Sequence, residues 1–383
     1  MVLSYDERLL SKCLAMEIVI SFMISVSIVL GFTSLASVLF NVSFLVPLLY
    51  ILKKIRIFST DLFVLLALCF VHVSINGLYS GGMMGVNYYK KVIMFTTFMY
   101  LLYFSRELRV CSKRILRIMK MLPIVAGVIF VLAYFVLGRS QTMGGGITLG
   151  FSNPNTLAMW LLHLILYGLM MMFDESISRI KFLYLPIIIV LVYMLWLTLS
   201  RACLLALVFF AVLLALRLFS IRPSRLIYFV IIMLPIIFAI VYLQVVDTTW
   251  VQTRFDFVIS EGKSLTSRIN VWSSAFDSIK DHFFFGNYSG LSRGTGQSQF
   301  HNTHVDVLAS YGLIPFVLFL KILYKRTTES AENADTLYKY ISLIAFCAVL
   351  IMGTFEAAMV AGSSGLNLMT IGMLVLANVN EQE

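Results

Sequence analysis

Apolar residues run through this chain in long, nearly uninterrupted stretches. Twelve of them, roughly 13–33, 35–52, 61–78, 87–104, 121–138, 155–173, 182–199, 201–219, 226–245, 304–323, 340–360 and 363–379, approach the length of a membrane span. A spanning helix needs about 20 apolar residues, or 17–25 with tilt. The first stretch carries Glu17 and lacks a small-residue cleavage site, so it reads as a retained span and not a removed signal peptide. Lys90 and Lys91 open the fourth, where long basic side chains reach the interface. The seventh and eighth meet at Ser200-Arg201, room for a tight hairpin only. The pattern predicts one all-α, polytopic membrane domain over residues 1–383 with about 12 transmembrane helices.

Composition sharpens this. The chain is 60% hydrophobic and 13% charged, whereas a soluble domain carries about 25% charged residues. A soluble core of this length has no place for so much apolar surface, so a soluble enzyme is excluded. Cys13, Cys69, Cys111, Cys203 and Cys347 are scattered without a CxxC pair, so they form neither a disulfide framework nor a metal site. The net charge of +10 is carried in short clusters between apolar runs, which argues against a nucleic-acid partner. With the N-terminus inside, 20 of the 29 Lys and Arg residues fall in inner connections. That bias places both termini in the cytoplasm and accounts for most of the charge through contact with inner-leaflet lipids. Arg139, Arg201, Arg254, Arg268 and Arg293 are among the few left outside, and function is to be sought around them.

Two outer connections are long. Residues 139–154 are glycine-rich and lead to Asn153-Pro154-Asn155, the signature of an irregular, turn-rich loop. Residues 246–303 form a large extracytoplasmic loop, far longer than the usual connection of about 4–6 residues. Inside it, 266–281 place Ile269, Trp272, Ala275 or Phe276, and Ile279 at helical spacing. Thr266 or Ser267 can cap this amphipathic helix, which is expected on the outer surface with Trp272 as an interfacial anchor. An aromatic and then glycine-rich stretch follows, ending in His301-Asn302-Thr303-His304, with Asp306 beyond.

Arg268 in the first turn of the amphipathic helix would meet an anion together with free backbone N–H groups. Arg201 opens an apolar helix at the outer hairpin, where an arginine either anchors the helix end at the headgroups or grips an anion. Arginine forks suit phosphate oxygens, and a histidine at the membrane surface can accept a proton. Two arginines and a histidine therefore suit a lipid-linked diphosphate donor and an alcohol nucleophile. The intramembrane carboxylates Asp306 and Glu356 lie near outer span ends, placed to orient the outer histidines and arginines. Each residue also has a plainer role available: a solvated helix arginine, a satisfied interfacial histidine.

Taken in order, several stretches resemble the bacterial O-antigen ligase and O-antigen polymerase superfamily. They are Gly150–Asn155 before an apolar span, Leu199-Ser200-Arg201-Ala202 opening a helix, Ser267-Arg268 followed by Trp272, His301-Asn302, and Ser310–Pro315 in the next span. The resemblance covers about residues 139–325 and rests on order, spacing and side of the membrane. It implies a C-type glycosyltransferase-like fold, with a large outer loop carrying short helices. It further implies a bacterial inner-membrane enzyme, working without cofactor or metal on an undecaprenyl-diphosphate-linked saccharide at the outer face. By that likeness Arg201 and Arg268 hold the diphosphate and His301 serves the acceptor hydroxyl as base or orienting group. His304, Asn302, Asp306, Glu356 and Asn155 are expected to contribute to substrate binding, and His304 leaves the base ambiguous by three residues. Membrane lipids and other polysaccharide-export proteins are the expected partners. The expected activity is polymerisation of repeat units into surface polysaccharide. The alternative is ligation of the finished glycan to a lipid A core or another acceptor. A transporter or flippase of lipid-linked saccharides is the rival class, but no internal duplication is visible and the polar interest lies at the outer surface.

Overall fold

A computed structural model describes residues 5–43, 60–79, 86–105, 112–139, 141–174, 181–219, 223–246, 264–286, 300–356 and 364–378. The described residues are almost wholly helical. In chain order the helices are α1 (Tyr5–Leu30), α2 (Thr33–Ser43), α3 (Thr60–Tyr79), α4 (Val86–Tyr103), α5 (Ser112–Phe135), α6 (Pro154–Met172) and α7 (Lys181–Leu197). They continue as α8 (Arg201–Leu218), α9 (Arg225–Val246), α10 (Ser264–Asp281), α11 (Thr303–Tyr311), α12 (Leu313–Asn333), α13 (Leu337–Met352) and α14 (Ser364–Leu376). Helices occupy the described part of every apolar stretch; the second stretch, 35–52, is described only as far as residue 43. Among the described residues α6 and α8 are long and apolar enough to cross a bilayer, and six other apolar helical segments are shorter.

The tenth apolar stretch is not one helix. It breaks at Gly312 (φ +83), and α11 turns there into α12. A side chain at Gly312 would stand 2.2 Å from the Phe284 carbonyl oxygen, so only glycine admits this crossing. The Phe283 carbonyl accepts from Leu313 N–H at 2.9 Å and completes the junction. The His304 ring, near the start of α11, lies 5.5 Å from that of Phe319 in α12, so α11 folds back beside α12 and does not extend it. The run is apolar throughout because all of α11 is buried, not because it is one span.

The loop 139–154 also differs from the irregular connection expected. It holds a hairpin of β1 (Thr142–Met143) and β2 (Gly146–Ile147), paired Thr142 to Ile147. Gly144 and Gly145 both have positive φ, as a two-residue primed turn requires. Gly146 rests directly on the Thr198 carbonyl, with no room for a side chain, which docks the hairpin on the α7–α8 turn.

The centre of the bundle is α6 and α13, buried on nearly every face. Apolar residues of α7, α8 and α9, among them Phe182, Ile189, Trp196, Leu205, Val208, Val212 and Phe229, remain exposed. Apolar surface on this scale marks a membrane or protein contact. Lipid is as apolar as leucine, so packing and polar bonds must join such helices. His163 of α6 meets Thr370 Oγ1 of α14 at 3.0 Å, and Tyr167 O–H donates to the Met369 carbonyl.

The two ends of the bundle differ. At one end Lys120 pairs with Asp174 at 3.1 Å, Arg326 with Glu329 at 2.7 Å, and Arg225 with Glu332. There the Lys339 ammonium, 2.7 Å from Asp335, holds that carboxyl below its usual range through a hydrogen bond and its charge. These are the basic residues that the charge pattern assigns to the inner side. The opposite end, about 28 Å away along α6, carries the β-hairpin, the α7–α8 turn and the start of α11. Arg139 lies at this end, where it donates to the Leu30 carbonyl at 2.8 Å and so caps α1.

Candidate active site

The C-terminal end of α13 is the hub of this second end. Beyond Met352 the chain turns through Gly353, Thr354 and Phe355 to Glu356, whose side chain is 6% exposed. Two helix N-termini reach that turn. Asn155, at the second position of α6, donates from Nδ2 to Glu356 Oε1 at 2.9 Å. At the start of α11 the Thr303 N–H donates to the Gly353 carbonyl at 2.9 Å, and its hydroxyl donates to the Glu356 carbonyl at 3.2 Å. Helix N-termini carry partial positive charge, so their convergence favours an anion here.

His301 completes the group. Its Nδ1 is 3.2 Å from Glu356 Oε2, and its side chain is 29% exposed against 6% for the carboxylate. With its proton on Nδ1 the ring donates to Glu356, and Nε2 keeps a lone pair. The backbone at His301 is left-handed, φ +53, a conformation that costs a non-glycine residue about 1–3 kcal/mol. It persists only where the surroundings impose it.

Those surroundings are well defined. Asn302 caps α11, its Oδ1 accepting from His304 N–H at 3.0 Å and Val305 N–H at 3.1 Å. Its Nδ2 donates to the Pro235 carbonyl at 2.9 Å and the Thr354 carbonyl at 3.0 Å. Pro235 interrupts the α9 ladder, and α11 is tied to α9 at this point. Asp306 is buried, with Oδ1 accepting from Phe300 N–H at 2.6 Å. The His304 ring is buried edge-on to Phe316 and Phe319.

Asn155, Glu356 and His301 are thus brought together, while Asn302, His304 and Asp306 lie in the packing behind them. Arg201 is exposed on the first turn of α8. Arg268 occupies α10 one helical turn before Trp272, and its side chain lies outside the described residues. Trp272 is not an interfacial anchor. It is 1% exposed, its ring stands edge-on to Phe238, and its Nε1 donates to the Phe300 carbonyl at 2.7 Å. The amphipathic face of α10 packs on the bundle through Val271, Trp272, Ala275 and Ile279. Exposed aromatics follow instead at Phe283, Phe284 and Phe285.

Sequence reasoning alone did not reveal Thr303, Gly353 or Trp272 as builders of the site. The cap at Asn153, which accepts from Thr156 N–H at 2.8 Å ahead of Pro154, was legible as a helix start.

A histidine thus stands against a buried carboxylate at one end of an apolar helical bundle. Residues 186–320, about a third of the chain, match the family model described as O-antigen ligase. The match runs from α7 into α12 and includes Arg201, Arg268 and His301, but neither Asn155 nor Glu356. No curated protein matches the chain. The match supports a membrane enzyme of polysaccharide biosynthesis in general terms.

Proposed function

We propose that this chain joins lipid-diphosphate-linked repeat units into a surface polysaccharide at the outer face of the bacterial cytoplasmic membrane, as a protein of about twelve spans with both termini inside. The observation that carries the reading is the Asn155–Glu356–His301 chain of polar contacts at the meeting point of two helix N-termini.

In this reading His301 Nε2 takes the proton of the acceptor sugar hydroxyl. The freed oxygen attacks the anomeric carbon of the donor saccharide. The bond from that carbon to the diphosphate breaks, and its electron pair leaves with the undecaprenyl diphosphate. Glu356 keeps the Nδ1 proton in place and stabilises the imidazolium that forms, while Asn155 fixes the carboxylate rotamer. Arg201 and Arg268 take the diphosphate, whose charge grows as it leaves. We assign Asn302 and Asp306 to building the site and His304 to packing.

The family description favours a second reading, in which the finished glycan is transferred to a lipid A core or another acceptor. Glycan analysis of a strain lacking the protein separates the two. Single repeat units on lipid are the expected result. Long lipid-linked chains without attachment would establish the ligase instead.

A further inference from the structure

We infer that α10 is the positioning element for His301: Trp272, together with Asp306, fixes the backbone of Phe300 and so imposes the left-handed turn that presents the imidazole to Glu356. The inference rests on the reading of His301 as the acceptor-side base and concerns what holds that base in place.

Both backbone polar groups of Phe300 are taken by side chains from different elements. Its carbonyl accepts from Trp272 Nε1 at 2.7 Å, and its N–H donates to Asp306 Oδ1 at 2.6 Å. On the far side of His301, Asn302 is held by the four contacts that tie it to α9, α11 and the turn after α13. His301 is therefore the single residue between Phe300, whose backbone N–H and carbonyl are both held, and Asn302, whose side chain is held on both sides. Its φ of +53 is a consequence of those fixtures and not of its own preference.

Trp272 reaches Phe300 across 28 residues of sequence, so only docking of α10 on the bundle makes the contact. The docked face is the one that carries Val271, Trp272, Ala275 and Ile279. Arg268 precedes Trp272 by four residues in the same helix. The helix that sets the acceptor-side base thus also carries the residue proposed for the diphosphate. One docking event assembles both halves of the site, and with α10 undocked the imidazole is not aligned.

The test uses membranes of the producing bacterium, with its own copy replaced by each variant and charged with its native lipid-linked saccharide. Trp272→Phe keeps a ring in the core and removes the N–H donor. Asp306→Leu removes the acceptor, and Asp306→Asn retains one. Trp272→Phe and Asp306→Leu are expected to lower kcat roughly tenfold to a hundredfold. KM for the saccharide should stay within about threefold, because both variants keep Arg201 and Arg268 for the diphosphate and disturb only the alignment of the base. Asp306→Asn should recover most of what Asp306→Leu loses. If Asp306→Leu does not reach the membrane, Trp272→Phe decides. Full kcat in Trp272→Phe, or a change confined to KM, overturns the inference. His301→Asn is measured alongside. If it is active, the reading of His301 itself fails. If it is inactive while Trp272→Phe is unimpaired, only the positioning role fails.

Discussion

Glu356 joins residues 201 and 55 positions away in sequence, Asn155 and His301, through one buried carboxylate. Glu356→Gln keeps the shape but lets the amide offer a donor where Nδ1–H needs an acceptor. We expect it to lower the transfer rate roughly a hundredfold, at normal protein levels in immunoblotted membranes. His304→Leu, by contrast, should retain most polymer on a glycan gel, because the His304 ring only packs against Phe316 and Phe319. His301 and Glu356 were each legible in the sequence as candidate site residues. Their pairing was not, since it depends on where the end of α13 meets the start of α11. Choosing between His301 and His304 likewise needed the packing, because three residues separate buried from half-open only once the turn at φ +53 is known.

Among the elements, helix positions followed from apolar length, and the cap at Asn153 with Pro154 followed from local chemistry. The break at Gly312 was hidden because both sides of it are apolar, so length alone reads a continuous span. Gly312→Ala should destabilise the protein by more than about 2 kcal/mol, from the positive φ plus the clash with the Phe284 carbonyl. A thermal melt in detergent measures this, and an unchanged midpoint would remove the tight crossing from the account. Asn302→Ala deletes a helix cap and two further bonds, leaving the Pro235 and Thr354 carbonyls without their amide donor. Loss of roughly 2 kcal/mol or more is expected in the same melt. Helix α10 shows the opposite limit of sequence reading. Its amphipathic period is plain, but period alone does not say whether the apolar face meets lipid or protein.

At the scale of the molecule, the charge pattern predicts an inner and an outer end. Arg225, Arg326 and Lys339 gather at one end of the bundle and the β-hairpin with the α7–α8 turn at the other. In cells whose native cysteines are replaced, a membrane-impermeant thiol reagent should label Ser152→Cys in intact spheroplasts. It should label Ser224→Cys only after permeabilisation. Both positions are exposed, so labelling of both from one side would reject the proposed topology. The central claim is that His301, seated on Glu356, drives glycosyl transfer with loss of lipid diphosphate. The most direct measurement is release of undecaprenyl diphosphate alongside chain growth in membranes carrying His301→Asn. Asparagine tolerates the left-handed backbone and can still donate to Glu356, but it has no basic nitrogen. The account predicts one lipid diphosphate released per linkage formed by the wild type, and neither release nor growth in the variant. Growth at the wild-type rate in His301→Asn would contradict it.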